Sequence, residues 1–187
     1  MEYMGNSTWW NQRFAGRDLA LMPHEQCLEN DLHYFTDKNK ILDLACGDGR
    51  NAIYFARKGY QVTCVDFCEE ALKRLKYFAS KENLAITTKL VNLSTDFVLE
   101  LTGNYDAIVI NHYRLNPKLY QQLMSVLSGQ GIIWVNGFRE VPADNPHITK
   151  YDILQDEDFY AISSHILQNK NIYEVGQRKF VRYIWRK

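Results

Sequence analysis

Short apolar runs alternate with longer stretches of helical periodicity through the middle of the chain. Four or five neighbouring apolar residues predict a strand, and apolar residues that recur every three or four positions predict a helix. The predicted strands are 40–44, 62–65, 86–90, 105–110 and, after a glycine turn at 129–131, 132–135. The predicted helices are 51–58, 68–81 and 117–127. This alternation is typical of parallel βαβ units with helices packed on the sheet.

The two ends of the chain follow a different pattern. Residues 8–14 predict a short helix or ordered arm, and a proline in the first turn favours a helix over 23–35. Towards the C-terminus, a short helix is predicted at 152–159. Two long strands, 162–174 and 178–185, follow it and are rich in aromatic residues. An antiparallel strand hairpin is therefore expected to finish the sheet.

We expect the 187 residues to form a single α/β domain with one hydrophobic core. Its fold class is predicted to be a Rossmann-like, doubly wound sheet that is mostly parallel. The expected parts are an N-terminal helical arm or lid at 1–39, a cofactor-binding βα core at 40–140 and C-terminal strands at 141–187.

Charge and composition exclude several classes of partner. The 22 basic and 22 acidic residues balance, so we expect neither a nucleic-acid partner nor a membrane partner. The sequence has no long apolar run and no basic leader before an apolar stretch, and a cytoplasmic location is expected. The four cysteines and five histidines lack the spacing of metal ligands, so we predict no metal site and expect buried free thiols.

The candidate chemistry lies in the segment 41–67, which reads ILDLACGDGRNAIYFARKGYQVTCVDF. Gly47 and Gly49 follow the first predicted strand, where glycines allow a ligand to approach the backbone. Asp66 ends the second strand, where a carboxylate can accept hydrogen bonds from ribose hydroxyls. The third glycine of a dinucleotide loop is missing, and Asp43 would oppose a pyrophosphate. These features favour a nucleoside ligand with a cationic centre.

The same segment resembles motifs I and II of the class I S-adenosylmethionine-dependent methyltransferases. Within that family, the loop, an early WWNQRF and the stretch NHYRLNPKLYQQLMSVLSGQGIIWV are most similar to the small-molecule branch of tellurite-resistance and thiopurine methyltransferases. The resemblance implies S-adenosyl-L-methionine as cofactor and S-adenosyl-L-homocysteine as product. The residues it implies in cofactor binding are Asp43, Ala45, Cys46, Gly47, Gly49, Asn51, Asp66, Phe67, Asn92, Leu93 and Asn111.

Several of these roles have structural alternatives. Asp66 could cap the next helix, and Asn92 could serve a turn rather than the adenine ring. Ala45 stands where the family usually has its first glycine. His112 and Tyr113 are the candidate general bases, although a lone histidine is more often structural.

The candidate substrate-binding residues come from two separate segments. The N-terminal arm could fold over the cofactor, or its aromatic residues could simply pack on the sheet. A late arginine could contact the substrate or lie on the surface. The residues concerned are Trp9, Trp10, Arg13, Phe14, Arg17 and Arg139.

The predicted function is methyl transfer by in-line displacement to a small-molecule acceptor, which could be a thiol, a metalloid oxyanion, an amine or a hydroxyl. Positioning and exclusion of water would be the main tasks of the protein. The alternatives are a non-catalytic cofactor-binding module and a methyltransferase that acts on RNA or protein. The sequence specifies neither the acceptor nor the oligomeric state.

Overall fold

A seven-stranded mixed sheet forms the centre of the protein, with the strand order β3-β2-β1-β4-β5-β7-β6. The computed structural model describes residues 6–37, 39–93 and 103–187; residues 1–5 of the predicted arm lie outside these ranges. The first five strands pair in parallel, and β7 pairs antiparallel with both β5 and β6. The expected fold, a mostly parallel α/β sheet with an antiparallel hairpin at its C-terminal end, is confirmed.

The strands alternate with helices along the core of the chain. The strands are β1 Lys40–Leu44, β2 Gln61–Asp66, β3 Ile86–Leu90, β4 Tyr105–Asn111, β5 Leu127–Phe138, β6 Ile166–Val175 and β7 Arg178–Arg186. The α-helices are α1 Ser7–Ala15, α2 Cys27–Asp31, α3 Arg50–Arg57, α4 Glu69–Lys81 and α5 Leu119–Val126. Two 3₁₀ helices cover Leu32–Phe35 and Asp156–Ile162.

Apolar side chains cover both faces of the sheet. Alternate residues of one strand point to opposite faces, so β4 sends Ile108 towards one cluster and Val109 towards the other. The first cluster includes side chains of α5 and of the second 3₁₀ helix, and the second includes side chains of α2, α3 and α4. Within the described ranges, no helix is both long and apolar enough to cross a membrane.

Three predicted elements differ from the structure. The helix expected over 23–35 begins only at Cys27 and ends as a 3₁₀ turn. The residues before Cys27 are instead held against α3, where the backbone N–H of Glu25 donates to Asn51. Strand β5 begins at Leu127, before the glycines expected to form a turn, and its register with β4 shifts there. The short helix expected at 152–159 is the 3₁₀ helix Asp156–Ile162.

Candidate functional site

A cleft of about 620 Å³ opens at the carboxyl ends of the parallel strands. Ligands of α/β sheets bind at this edge, and the volume is in the range of small-molecule sites. Its lining comes from α1, the segment after it, and the loops that follow β1, β2, β3 and β4. The lining residues are Asn6, Ser7, Trp10, Phe14, Arg17, Met22, Asp43, Ala45, Cys46, Gly47, Asp48, Arg50, Asn51, Asp66, Phe67, Leu90, Val91, Asn92, Leu93, Asn111, His112 and Tyr113.

The loop after β1 is a series of left-handed backbone turns. Ala45, Gly47 and Gly49 have φ angles of 54°, 56° and 85°. A Cβ at Gly49 would overlap a methyl carbon of the buried Leu75 on α4, so a larger residue fits there only if Leu75 moves. Ala45 holds an angle that costs an L-residue on the order of 1 kcal/mol or more. The irregularity in the sequence motif is therefore a point of backbone strain.

Asp43, at the floor of the cleft, is a buried carboxyl that lacks a full set of partners. It is 2% exposed, and its Oδ2 has no hydrogen-bond partner among the described residues. Burial, reinforced by the nearby charge of Asp66 and opposed by Arg50, raises the pKa of Asp43 to about 8. A cation or a hydrogen-bond donor in the cleft would satisfy this group.

Asp66 fixes the glycine loop to the start of α4. One oxygen accepts a hydrogen bond from the Gly47 N–H at 2.8 Å, and the other accepts from the Cys68 N–H at 2.8 Å. Burial raises the pKa of Asp66. Cys68 is the N-cap residue of α4, so the bond from its N–H to Asp66 fixes the residue before the helix and does not cap the helix itself. Each oxygen can accept two hydrogen bonds, so the carboxylate keeps acceptor capacity towards the cleft.

Helix α1 forms one wall of the cleft. The ring of Phe14 lies over the glycine loop, 3.4 Å from where a Cβ of Gly47 would be. Asn11 fastens α1 to α4, because its Oδ1 accepts hydrogen bonds from the Glu70 N–H at 3.0 Å and from the Cys68 thiol at 3.2 Å. The part of the predicted arm in α1 is thus an ordered helix that packs against the glycine loop.

The opposite end of the cleft carries a charged cluster beside β4. The Glu25 carboxylate accepts hydrogen bonds from Arg50, Asn111 and His112. His112 directly follows β4 and has a left-handed φ of 54°, which is uncommon outside glycine. Its ring packs against the aromatic rings of Phe138 and Phe180, each 5.4 Å away, and those two rings are 4.8 Å from each other.

Most sequence-predicted residues line the cleft, and four do not. Gly49 lies beneath the loop against α4. Trp9 contacts Trp10 and His147, and Arg13 lies over the Trp9 ring. Arg139 donates to the backbone oxygen of Leu154 and lies 3.8 Å from Asp156. This ion pair keeps the Arg139 side chain away from the cleft lining.

The sequence interpretation missed seven residues of the lining, among them Asn6 and Ser7 at the start of α1, and one residue behind the lining. Arg50 had a local signal, since it is the first residue after the glycine loop. Asp48 lies inside the loop and pairs with Arg74 at 3.2 Å and Arg17 at 3.6 Å. Met22, Leu90 and Val91 line the cleft without a motif, and Glu25 is 87 positions from its partner His112.

The four cysteines are free and buried, as expected. Burial raises the pKa of each thiol, that of Cys27 to about 11. The thiols are therefore protonated at neutral pH, and the thiolate is the form that acts as a nucleophile. Cys46 lines the cleft as a small apolar side chain.

A family model, "Tellurite resistance protein TehB", matches residues 28–129. The chain is 43% identical to the "Probable S-adenosyl-L-methionine-dependent methyltransferase TehB" of Haemophilus influenzae strain 10810 over 70 residues. These residues make up 37% of this chain and 23% of that protein. The chain thus spans about a quarter of the length of this curated relative.

Solved structures share the fold. The crystal structure of TehB from Haemophilus influenzae superposes with a TM-score of 0.70 at 24% identity, covering 89% of this chain and 63% of that chain. Magnesium protoporphyrin IX methyltransferase from Synechocystis PCC 6803, solved with bound S-adenosylmethionine, gives a TM-score of 0.63 at 13% identity, covering 97% and 79%. The family model matches more than half of the chain, and the protein belongs to the TehB family, within the class I S-adenosylmethionine-dependent methyltransferases.

Proposed function

We propose that this protein binds S-adenosylmethionine in the cleft and transfers its methyl group to a small-molecule acceptor. The observation that carries the proposal is the buried Asp43 carboxyl, whose Oδ2 has no partner among the described residues and which lines the cleft. A carboxyl held in this way costs folding free energy unless a ligand satisfies it. S-adenosylmethionine carries an ammonium and a sulfonium, either of which suits a carboxylate.

The residues of the cleft fit the rest of that cofactor. Gly47 of the glycine loop lines the cleft, and Asp66 keeps acceptor capacity for ribose hydroxyls. Phe67, Asn92 and Leu93 line the cleft after β2 and β3, where they would hold the adenine ring between apolar surfaces and an amide. Asn51 and Asn111 line the same space. In this interpretation, Asp43 holds the cationic amino-acid end.

Bound S-adenosylmethionine supplies a methyl group that is already activated by its positive sulfur. The protein's contribution is to position the acceptor in line and to exclude water. Trp10 and Phe14 cover the cleft from α1, and these rings would exclude water from above. Arg17, which also lines the cleft, is the proposed substrate contact, whereas Trp9, Arg13 and Arg139 lie outside the lining. His112 and Tyr113 are the proposed proton acceptors.

The relatives support a small acceptor. Coclaurine N-methyltransferase, a structural neighbour with a TM-score of 0.66 at 14% identity, was solved with N-methylheliamine and S-adenosylhomocysteine. The 22 basic and 22 acidic residues of this chain balance, so there is no net attraction to RNA. The acceptor classes that we propose to test are thiols, metalloid oxyanions, amines and phenols.

The test is calorimetric titration with S-adenosylmethionine and S-adenosylhomocysteine, followed by turnover assays. The wild type is expected to bind both ligands, and Asp66→Ala to bind them at least tenfold more weakly. Asp106→Ala is a matched control, because Asp106 also accepts two backbone hydrogen bonds, from Asn39 and Lys40, but lies at the other end of the sheet. Absence of binding by the folded wild type would refute the proposal.

Turnover separates the remaining alternatives. Release of S-adenosylhomocysteine with a methylated member of the acceptor panel supports the enzyme. Tight binding without any methylated small molecule would instead favour a cofactor-binding module. Methylation of RNA or protein alone in the same assay would show that the acceptor is a macromolecule.

A further inference from the structure

Glu25 is the centre of a group of converging hydrogen-bond donors behind the cleft. Its Oε2 accepts from Nε2 of His112 at 2.8 Å, from a guanidinium nitrogen of Arg50 at 2.8 Å and from the amide nitrogen of Asn111 at 3.2 Å. The Glu25 side chain is only 15% exposed. Three donors on one oxygen of a mostly buried carboxylate make a fixed arrangement rather than a surface contact.

The direction of these hydrogen bonds is set by a chain that begins on β6. The Tyr173 hydroxyl donates to Oδ1 of Asn136 at 2.8 Å, and Nδ2 of Asn136 donates to Oδ1 of Asn111 at 3.0 Å. Nδ2 of Asn111 then donates to Glu25. Each amide has one acceptor and one donor end in use, so one amide proton of each asparagine points along the chain towards the carboxylate. The Tyr173 hydroxyl also lies 3.5 Å from the Cys27 sulfur.

The groups around Glu25 also favour its ionised form. Burial alone would raise its pKa, but the hydrogen bond and charge of His112, together with Arg50 and Asn111, lower the pKa to about 2. Glu25 is therefore ionised at neutral pH and can only accept hydrogen bonds. The Nε2 atom of His112 must carry a proton to satisfy it.

Among the groups around the His112 ring, Glu25 makes the strongest electrostatic interaction with it. Strands β5 and β7 contribute the uncharged rings of Phe138 and Phe180. On the side of α3 the charge is Arg50, which is itself bound to Glu25. Other titratable groups line the same cleft, among them Asp43, Asp66 and Tyr113, and Tyr173 of β6 bonds to Asn136.

We propose that Glu25 is a positioning residue that holds His112 with its Nε2–H directed at the carboxylate, so that Nδ1 is the base for a neutral, protic methyl acceptor. Which ring nitrogen carries the proton is set by the hydrogen bond made at the other. His112 lines the cleft, and a carboxylate behind a histidine stabilises the ring when it gains a proton. The inference rests on the proposed methyl transfer.

The balanced step defines the class of acceptor. A lone pair on the acceptor oxygen, nitrogen or sulfur forms the new bond to the methyl carbon as the carbon–sulfur bond breaks, and that bond's electron pair stays on sulfur. The acceptor proton passes to Nδ1 of His112 and from there to solvent. A base of this kind serves a hydroxyl, an amine or an un-ionised thiol, whereas an acceptor that is already an anion gains nothing from it.

The first test reads the histidine directly and needs no cofactor. In Glu25→Gln the side chain keeps its shape, but an amide can either accept from Nε2–H or donate to a bare Nε2, so it no longer selects one tautomer. Long-range ¹H–¹⁵N correlation spectra at pH 8 are expected to show a single Nε2–H form of His112 in the wild type and a mixture in the variant. A mixture in the wild type would overturn the inference.

The second test measures turnover with two kinds of acceptor. With a phenol that is un-ionised at pH 8, Glu25→Gln is expected to lower kcat at least tenfold with little change in the KM for S-adenosylmethionine. With an aromatic thiol that is fully ionised at pH 8, kcat is expected to change less than threefold. Equal losses for both acceptors would mean that Glu25 has a structural role only.

A matched control comes from the same segment of the chain. Glu29 also pairs with a histidine, His24, at 2.9 Å, but on the surface. Glu29→Gln is expected to leave the His112 tautomer and both turnover rates unchanged. If the wild type binds S-adenosylmethionine and methylates no member of the acceptor panel, the proposed function fails, while the spectra still decide whether Glu25 selects the tautomer.

Discussion

Asp43 is expected to release a proton when S-adenosylmethionine binds. Its pKa is about 8 in the free protein because the side chain is buried next to Asp66. One pH unit below this value, at pH 7, about ten in eleven molecules carry the proton, which is about 0.9 proton per site. A cation bound beside the carboxyl favours the ionised form. Binding therefore releases up to about 0.9 proton at pH 7 and about 0.5 at pH 8.

Calorimetry in paired buffers measures this release. At pH 7, the observed binding enthalpy is plotted against the ionisation enthalpy of the buffer, and the slope gives the number of protons exchanged. Asp43→Asn is the matched variant. Its residue 43 cannot titrate, but any proton exchange by the ligand's own amine is the same as with the wild type. The difference between wild type and variant isolates Asp43. A difference of zero, with both proteins binding the ligand, would refute the assignment of Asp43 to the cation.

The same group predicts how stability depends on pH without ligand. The raised pKa means that the folded protein keeps a proton that the unfolded chain loses above about pH 4. The free energy of unfolding contributed by Asp43 therefore falls as pH rises from about 4 to about 8, by at most about 1.4 kcal/mol per unit. Urea unfolding at several pH values should show a shallower decline for Asp43→Asn. Parallel curves for the two proteins would contradict the buried protonated state.

Two further predictions concern the loop and the helix that surround the cleft. Gly49→Ala is expected to lower the free energy of unfolding by about 3 kcal/mol or more, because the new methyl group would overlap Leu75 in addition to the strain at φ 85°. Gly59→Ala, at φ 90° in open space, should lose only about 1 kcal/mol by the same urea assay. Equal losses would show that the overlap is relieved without cost. Asn11→Ala, which removes the acceptor for the Glu70 N–H, should lower stability by about 1 kcal/mol. It should also weaken S-adenosylmethionine binding in calorimetry, and unchanged affinity would show that α1 is not part of the binding site.

The core of the fold could be predicted from the sequence because its signals are local. Strands β1, β2 and β4 are short, mostly apolar runs, β3 is a weaker run interrupted by polar residues, and α4 has a clear apolar face. The glycine loop follows from two glycines at the end of a strand and an aspartate at the end of the next. Such elements depend on neighbouring residues, and the topology rules for parallel sheets assemble them.

The remaining features depend on contacts between distant residues. The helix predicted over 23–35 begins late because Glu25 is held by Asn51, Arg50 and His112. No pattern near Glu25 indicates those partners. Likewise, Arg139 follows β5 at a position that suggests the cleft, yet Asp156 and a backbone oxygen hold its side chain elsewhere.

Ala45 has a consequence for the way in which the site recognises its ligand. An alanine at a φ of 54° is strained in the folded protein, but it also has fewer conformations to lose than glycine when the chain orders. A loop with this residue is stiffer than one with glycine at the same position. The strain lowers the free energy of unfolding and does not enter the free energy of binding. Less conformational entropy is therefore lost when the ligand binds. Alanine in place of the usual glycine thus pre-organises the loop for ligand binding.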